Sequence, residues 1–292
     1  MVTSKNNNNI MEGKNESTPS FLFKMLRGAY RFTRGTYRLI RIQKPVTKLL
    51  GLSYIRSRKF IEIDITYLCN LSCFNCNRSC TQAPSNEKMT VEQIQKFVKE
   101  SIDNNVKWER IRLLGGEPTL HTNFFEILSL LLEYRKDYSP DTTIEVSTNG
   151  FGKKVNDIIS KIPKEIQISN TSKKSSVSLF AAFNITPQDF ILYKYADYSN
   201  GCWVISVCGI GLTPYGYYPC GVAGGIDRVF GYDYGRKKLP SPDDSMIDQL
   251  QVFCKLCGNF GYCKLTNREE MSSTWGKAYN RYKRRKPNLS LY

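Results

Sequence analysis

The sequence predicts an α/β fold: a partial (β/α) barrel, shortened relative to a full one, followed by a small cysteine-rich C-terminal module. Three observations predict it. Strand-like and helix-like segments alternate with short loops between about residues 60 and 170, the pattern of parallel strands joined by crossover helices. The alternation stops near residue 180, where Tyr, Gly and Cys become frequent, as in a loop-rich module fastened by metal. The ten cysteines fall into two groups with none between them: Cys69, Cys73, Cys76 and Cys80, then Cys202, Cys208, Cys220, Cys254, Cys257 and Cys263.

Taken in order, residues 1–20 are polar and rich in Asn and Ser, which predicts a disordered leader. They lack the apolar stretch of a secretory signal, so a reducing, cytoplasmic compartment is the expectation. Residues 21–59 are basic and studded with aromatics. Leu22, Met25, Leu26 and Tyr30 recur at helical spacing with Lys24, Arg27 and Arg31 on the other side. Such an amphipathic segment fits peripheral contact with an anionic membrane; it fits equally an extension packed on the core with its charges solvated.

From residue 60 the elements sharpen. Phe60–Ile65 alternates strictly and reads as a strand. Thr90 and Gln93 form a capping box before a helical run. A short apolar strand, Ile111–Leu114, ends in Gly-Gly, and Asn123 with Glu126 caps a further helix. Thr143–Ser147 is a third strand, Val155–Ile162 a helix and Glu165–Ser169 a fourth strand. The implied organisation is a core over residues 60–200, a module over 201–265 and a basic tail over 266–292, with no internal repeat.

Composition excludes other classes. At 292 residues, 41% hydrophobic and 23% charged, the chain is an ordinary folded protein and not a disordered one. No apolar run is long enough to span a bilayer. The net charge of +16 is localised: eleven Lys or Arg and no acid lie between Phe21 and Phe60, and six more positive residues lie between Lys277 and Lys286. The body between is close to neutral, which argues against a nucleic-acid binder.

Clustered cysteines in a reducing compartment hold metal more often than they form disulfides. Zinc competes with iron–sulfur here, but zinc prefers close pairs or Cys/His mixtures. Cys69-x3-Cys73-x2-Cys76 immediately follows the first strand, and three thiolates on one loop can hold three irons of a 4Fe–4S cube and leave the fourth open. Gly115-Gly116-Glu117-Pro118 follows the second strand and Ser147-Thr148-Asn149-Gly150 the third. In these three motifs, each at a strand end, the sequence resembles the radical S-adenosylmethionine (radical SAM) superfamily over roughly residues 60–265. The resemblance implies a SAM-binding 4Fe–4S cluster on Cys69, Cys73 and Cys76. It also implies contacts to S-adenosyl-L-methionine from Gly115, Gly116, Glu117, Pro118, Ser147 and Asn149. One departure is that the aromatic usual before the third cysteine stands one place early, at Phe74, with Asn75 in its position. Cys80 has no counterpart in the motif and reads as a structural thiol.

The later cysteines resemble SPASM and twitch auxiliary-cluster modules. Cys202, Cys208 and Cys220 bracket a hairpin turning at Pro214-Tyr215-Gly216, and Cys254-x2-Cys257-x5-Cys263 matches the later spacing, though no cysteine follows Cys263. Six thiols are two short of two complete clusters. One auxiliary 4Fe–4S cluster drawing on both groups is expected, with two three-cysteine clusters as the alternative. Asp227 and Arg228 either contact a polar substrate or form a solvated turn. Phe190–Trp203 either packs in the core or lines a pocket. His121 shapes the loop after Gly-Gly-Glu-Pro.

The resemblance implies an enzyme that reductively cleaves S-adenosylmethionine to a 5′-deoxyadenosyl radical, which takes hydrogen from a substrate C–H. It implies an electron donor of the flavodoxin or ferredoxin kind. The segment before the core is too short for a peptide-recognition domain, which favours oxidation, epimerisation or dehydration of a sugar or glycoconjugate over peptide maturation. The non-enzyme alternative is a metal-stapled basic interaction module.

Overall fold

The structure, a computed structural model, describes residues 21–74, 76–176, 180–181, 183–261, 265–266 and 271–292. Two helices, α1 (Phe21–Arg41) and α2 (Lys44–Leu50), precede strand β1 (Phe60–Thr66). Then follow α3 (Val91–Asp103), β2 (Arg110–Gly115), α4 (Phe124–Asp137), β3 (Thr143–Thr148), α5 (Lys153–Ile159) and β4 (Gln167–Asn170). The C-terminal half holds β5 (Phe180–Ala181), α6 (Trp203–Val207), β6 (Ile210–Thr213), β7 (Gly216–Tyr218), α7 (Gly221–Phe230), α8 (Ile247–Phe253), β8 (Leu265–Thr266) and α9 (Ser273–Arg284).

The main sheet runs β4-β3-β2-β1-β6-β7. β1 to β4 and β6 pair in parallel, and β7 returns antiparallel from β6 as the expected hairpin. This is the partial barrel that the sequence predicts. Period-two patterning gives the sheet two unlike faces. Ile61, Ile63, Ile65, Ile111, Leu113, Ile144 and Val146 pack with Ile94, Phe97, Ile127 and Leu131 of α3 and α4 in one apolar cluster. The alternate positions, Glu62, Asp64, Arg112 and Glu145, carry charge.

Local chemistry sets the boundaries. The capping box of Thr90 and Gln93 is present in both directions. Asn123 does not cap the α4 backbone; its amide donates to the Glu126 carboxylate at 2.8 Å instead. The third helix ends at Ile159, earlier than expected, and the fourth strand starts at Gln167, later than expected. Pro163 lies between them in a turn closed by Ile166 N–H to the Pro163 carbonyl at 3.0 Å, where proline's missing donor excludes a ladder position.

A second apolar cluster joins α7, α8 and α9 through Val222, Ile226, Phe253, Trp275, Ala278 and Tyr282. The basic tail is therefore part of the fold, not an appendage. Tyr292 anchors it further, its N–H donating to the Pro214 carbonyl at 2.9 Å and its hydroxyl to Glu100 at 2.9 Å.

Candidate active site and auxiliary thiol cavity

The loop after β1 carries Cys69, Cys73 and Cys76, all half-buried, at the C-terminal end of the strand, where barrels of this kind place their chemistry. Backbone contacts fix it to the next loop: Gly116 N–H donates to the Thr66 carbonyl at 2.7 Å and Glu117 N–H to the Leu68 carbonyl at 2.8 Å. Gly115 has φ +129°, and a Cβ there would collide with the Thr66 carbonyl. Glycine is thus required by close backbone approach.

Glu117 is wholly buried. Its carboxylate accepts from Thr119 Oγ1 at 2.7 Å, Thr148 Oγ1 at 2.8 Å and Asn149 N–H at 2.8 Å. It clamps the second-strand loop to the third-strand loop. Asn149 then donates from Nδ2 to Asn70 Oδ1 at 2.9 Å and to Cys69 Sγ at 3.8 Å. Asn70 in turn donates to the Phe151 carbonyl at 2.6 Å. Pro118 opens a buried one-turn 3₁₀ segment over Pro118–Leu120. Ser147 stands on β3 in register with Ser169. His121 accepts at Nδ1 from Asn123 N–H at 3.0 Å, so its proton sits on Nε2, facing the Met89 carbonyl at 2.9 Å. It shapes the loop, as expected.

A hydrogen bond from the buried Cys80 thiol pulls Cys76 down to about 5, against the opposing effect of burial, while burial pushes Cys69 up. Cys80 thereby supports the trio from behind.

Beneath the loop, the charged face of the sheet forms a buried ion network. Arg78 reaches Glu62 at 2.8 Å and Asp64 at 3.2 Å. Arg112 reaches Glu62 at 3.1 Å and Glu145 at 3.0 Å. Buried charges persist only when paired in this way. Burial pushes Asp64 up to about 6, with Arg78 opposing and the charge of Glu62 reinforcing the shift. Glu62 is held below its ordinary value because Arg78 and Arg112 outweigh its burial.

The late cysteines divide. Cys202, Cys220, Cys254 and Cys257 line one cavity with Val204, Ile205, Val222 and Phe253. Cys220 is the N-cap of α7, and Cys254 and Cys257 flank a 3₁₀ turn after α8. Burial and mutual charge push Cys254 and Cys257 far up and Cys220 up to about 12. Without a cation among them, these three thiols stay protonated. Among the described residues no three such donors converge as ligands of a single ion. Four thiols set around one cavity could instead hold an iron–sulfur cluster. Cys208 does not line this cavity; it hydrogen-bonds Glu62 near Arg78 and Arg112. Cys263 and Asn75 lie outside the described residues.

Asp227 and Arg228 are neither substrate-facing nor solvated. Both are buried. Asp227 accepts from the Tyr218 hydroxyl at 2.7 Å, and Arg228 donates to the carbonyls of Ala83 at 2.6 Å and Arg78 at 3.0 Å, pinning the stretch behind the cysteine loop. The 190–203 segment is likewise not core throughout: Phe190, Ile191, Leu192 and Tyr195 are exposed. Sequence reading missed Asn70 and Arg78. Alternation of Glu62 and Asp64 with buried isoleucines was the available signal that a cation must enter the sheet's second face.

An open thiol trio at a strand end, braced by glycine-rich and Ser-Thr-Asn-Gly loops, is an arrangement that could hold an iron–sulfur cluster with one vertex free. Residues 63–169 match the radical SAM superfamily, a family whose members use a 4Fe–4S cluster with S-adenosylmethionine. GTP 3′,8-cyclase of Aliarcobacter butzleri is 26% identical over 126 residues, 42% of this chain and 35% of that protein. The GTP 3′,8-cyclase of Campylobacter jejuni subsp. jejuni is 32% identical over 98 residues, 33% of this chain and 29% of that one. The match thus spans about a third of those relatives' length. Among solved structures, BtrN in complex with AdoMet and 2-DOIA has a TM-score of 0.41 at 13% identity, covering 74% of this chain and 97% of BtrN. Streptococcus suis SuiB bound to S-adenosylmethionine has a TM-score of 0.28 at 17% identity, covering 54% of this chain and 30% of SuiB.

Proposed function

We propose that this radical SAM enzyme acts on a C–H bond of a polar substrate of the sugar or glycoconjugate class, with one auxiliary 4Fe–4S cluster on Cys202, Cys220, Cys254 and Cys257. When bound at Cys69, Cys73 and Cys76, the core cluster with S-adenosylmethionine supplies a 5′-deoxyadenosyl radical for hydrogen abstraction. The chain's own residues do the positioning. Glu117 fixes the two ligand-facing loops to one another, Asn149 orients Cys69, and Cys80 supports Cys76.

The observation that carries the substrate class is the charged inner face of the sheet. Glu62, Asp64, Arg78, Arg112 and Glu145, paired with one another, make the floor below the cysteine loop polar rather than an apolar wall, a setting that suits a hydroxyl-rich substrate. The GTP cyclases match over only about a third of their length, so their nucleotide does not transfer with the similarity.

Anaerobically reconstituted, reduced protein is expected to release 5′-deoxyadenosine from S-adenosylmethionine, and to release more in the presence of a hydroxyl-rich substrate. Stimulation by peptides alone would replace the sugar class with peptide maturation. Absence of cleavage, with zinc on the trio, would overturn the enzyme reading in favour of a basic binding module.

A further inference from the structure

Soluble helices bury their apolar stripe and expose their charges. α1 exposes an apolar arc and buries an arginine. Met25, Tyr30, Phe32, Tyr37 and Ile40 lie on one arc of the helix and are between 54% and 74% exposed, while Arg38 on the opposite side is only 9% exposed. Arg38 donates from Nε to the Phe260 carbonyl at 3.0 Å and its guanidinium sits 5.0 Å over the Tyr54 ring. Its Nη1 has no hydrogen-bond partner although it is buried, and the same holds for Arg41 Nη1. With Arg34, Tyr37, Tyr54 and Trp203, these two arginines line a cavity of about 620 Å³ whose wall includes Cys202.

The apolar surface does not stop at α1. Leu49 on α2 is 82% exposed and Ile191 78% exposed. The 190–196 segment is tied beside the α1–α2 junction by Lys44 N–H to the Tyr195 carbonyl at 3.0 Å and Asp197 N–H to the Ile42 carbonyl at 2.7 Å. Exposed apolar side chains gathered on neighbouring elements in this way mark an interaction site.

We propose that α1, α2 and the 190–195 turn form a face that docks on an anionic membrane, with α1 lying in the interface and the Arg34–Arg38–Arg41 cavity receiving a lipid headgroup phosphate. Charge selects this occupant. Eight cations and no acid lie on the α1–α2 stretch between Phe21 and Leu50, so a second copy of the same face would be repelled. An anionic bilayer satisfies both halves of the helix at once: acyl chains take the apolar arc, and headgroups take the arginines. No described helix is long and apolar enough to cross a membrane, so α1 lies on the surface. The face adjoins the wall formed by Cys202 and sets the auxiliary cavity close to the bilayer.

The test is flotation of the reconstituted holoprotein with vesicles of phosphatidylcholine, with and without phosphatidylglycerol. Binding about tenfold or more tighter to the anionic vesicles is expected, falling with added salt. The combined change Met25→Ser, Phe32→Ser and Ile40→Ser should lower that binding by at least about tenfold with iron content unchanged, because these side chains are exposed and do not line the cavity. Arg34→Gln with Arg41→Gln should remove most of the anionic preference. Equal binding to neutral vesicles, no binding to either, or binding untouched by both variants overturns the proposal. So does a stable dimer that the triple variant dissolves, or saturable capture of an acidic electron-transfer protein with no vesicle binding.

Discussion

The loop after β1 holds three half-buried cysteines at the rim of the sheet, whereas the C-terminal module gathers four cysteines, two of them buried, around one apolar cavity. The first set is stabilised from outside, by Asn149 on Cys69, Cys80 on Cys76, and the Glu117 clamp between loops. The second is stabilised by packing, among Val222, Phe253 and helix ends. Donor count and exposure together separate a site that must accept a ligand from one that must exclude it. A cube on three thiolates keeps a reachable vertex; a cube on four does not.

The largest effect that could break this contrast comes from replacing Cys69, Cys73 and Cys76 together by Ala. Release of 5′-deoxyadenosine is expected to vanish and iron content to fall by about half, from about eight per chain to about four, while the auxiliary cluster's absorbance survives. Retained cleavage would mean that the open vertex lies elsewhere.

Next in size is Cys257→Ala set against Cys208→Ala. The first should remove the auxiliary cluster, again about four irons, and abolish substrate turnover while leaving cleavage of S-adenosylmethionine measurable. The second should leave iron content unchanged, because Cys208 faces Glu62 and not the cavity. Iron analysis and turnover on the two purified variants decide the assignment; iron loss in the Cys208 variant would count against it.

Much of this was legible in the sequence because it depended on spacing. Cys69-x3-Cys73-x2-Cys76 at the end of an alternating strand fixed both the loop and its location, and the Thr90–Gln93 box set the start of α3 to the residue. Patterns could not say which late thiols converge. Cys208 and Cys220 both border the hairpin, and only the backbone path through α6 and β6 sends one toward Glu62 and the other toward Cys254. Arg228 was misread for a similar reason. A charged residue after a cysteine looks available to a ligand, and nothing local shows that three backbone carbonyls and Tyr282 surround it. The direction of α1 was equally hidden. Its amphipathicity is plain, but the side that meets the body is decided by carbonyls of Gly201 and Phe260, far away in sequence.

A smaller effect sharpens the account of the outer support. Asn149→Ala removes the donor to Cys69 without touching a cluster ligand. Loss of such a supporting contact typically costs about 10–100-fold, so cleavage of S-adenosylmethionine should drop by that factor with iron content retained. Asn149→Asp, which keeps the shape but exchanges the donor for an acceptor near a thiolate, should be no better than Ala. A shift in the cluster's reduction potential would separate this role from simple destabilisation of the loop, which would instead lower iron content.

The smallest effect concerns the charged floor that only the first region possesses. Burial raises Asp64 from its ordinary 3.8 to about 6, with Arg78 opposing. A carboxyl whose folded value exceeds its unfolded one binds more protons in the native state, so its contribution to stability is present at low pH and is lost as pH climbs toward about 6. Asp64→Asn cannot ionise and should flatten that part of the profile. The absolute stability of the variant also changes, because its amide pairs less strongly with Arg78, so the slope is the readout and not the height. Urea midpoints of the holoprotein between about pH 4 and about pH 6 should fall more steeply with rising pH for the parent chain than for the variant. Parallel profiles would show that Arg78 holds Asp64 ionised throughout. The floor would then be a permanently charged network rather than one that carries a proton near neutrality.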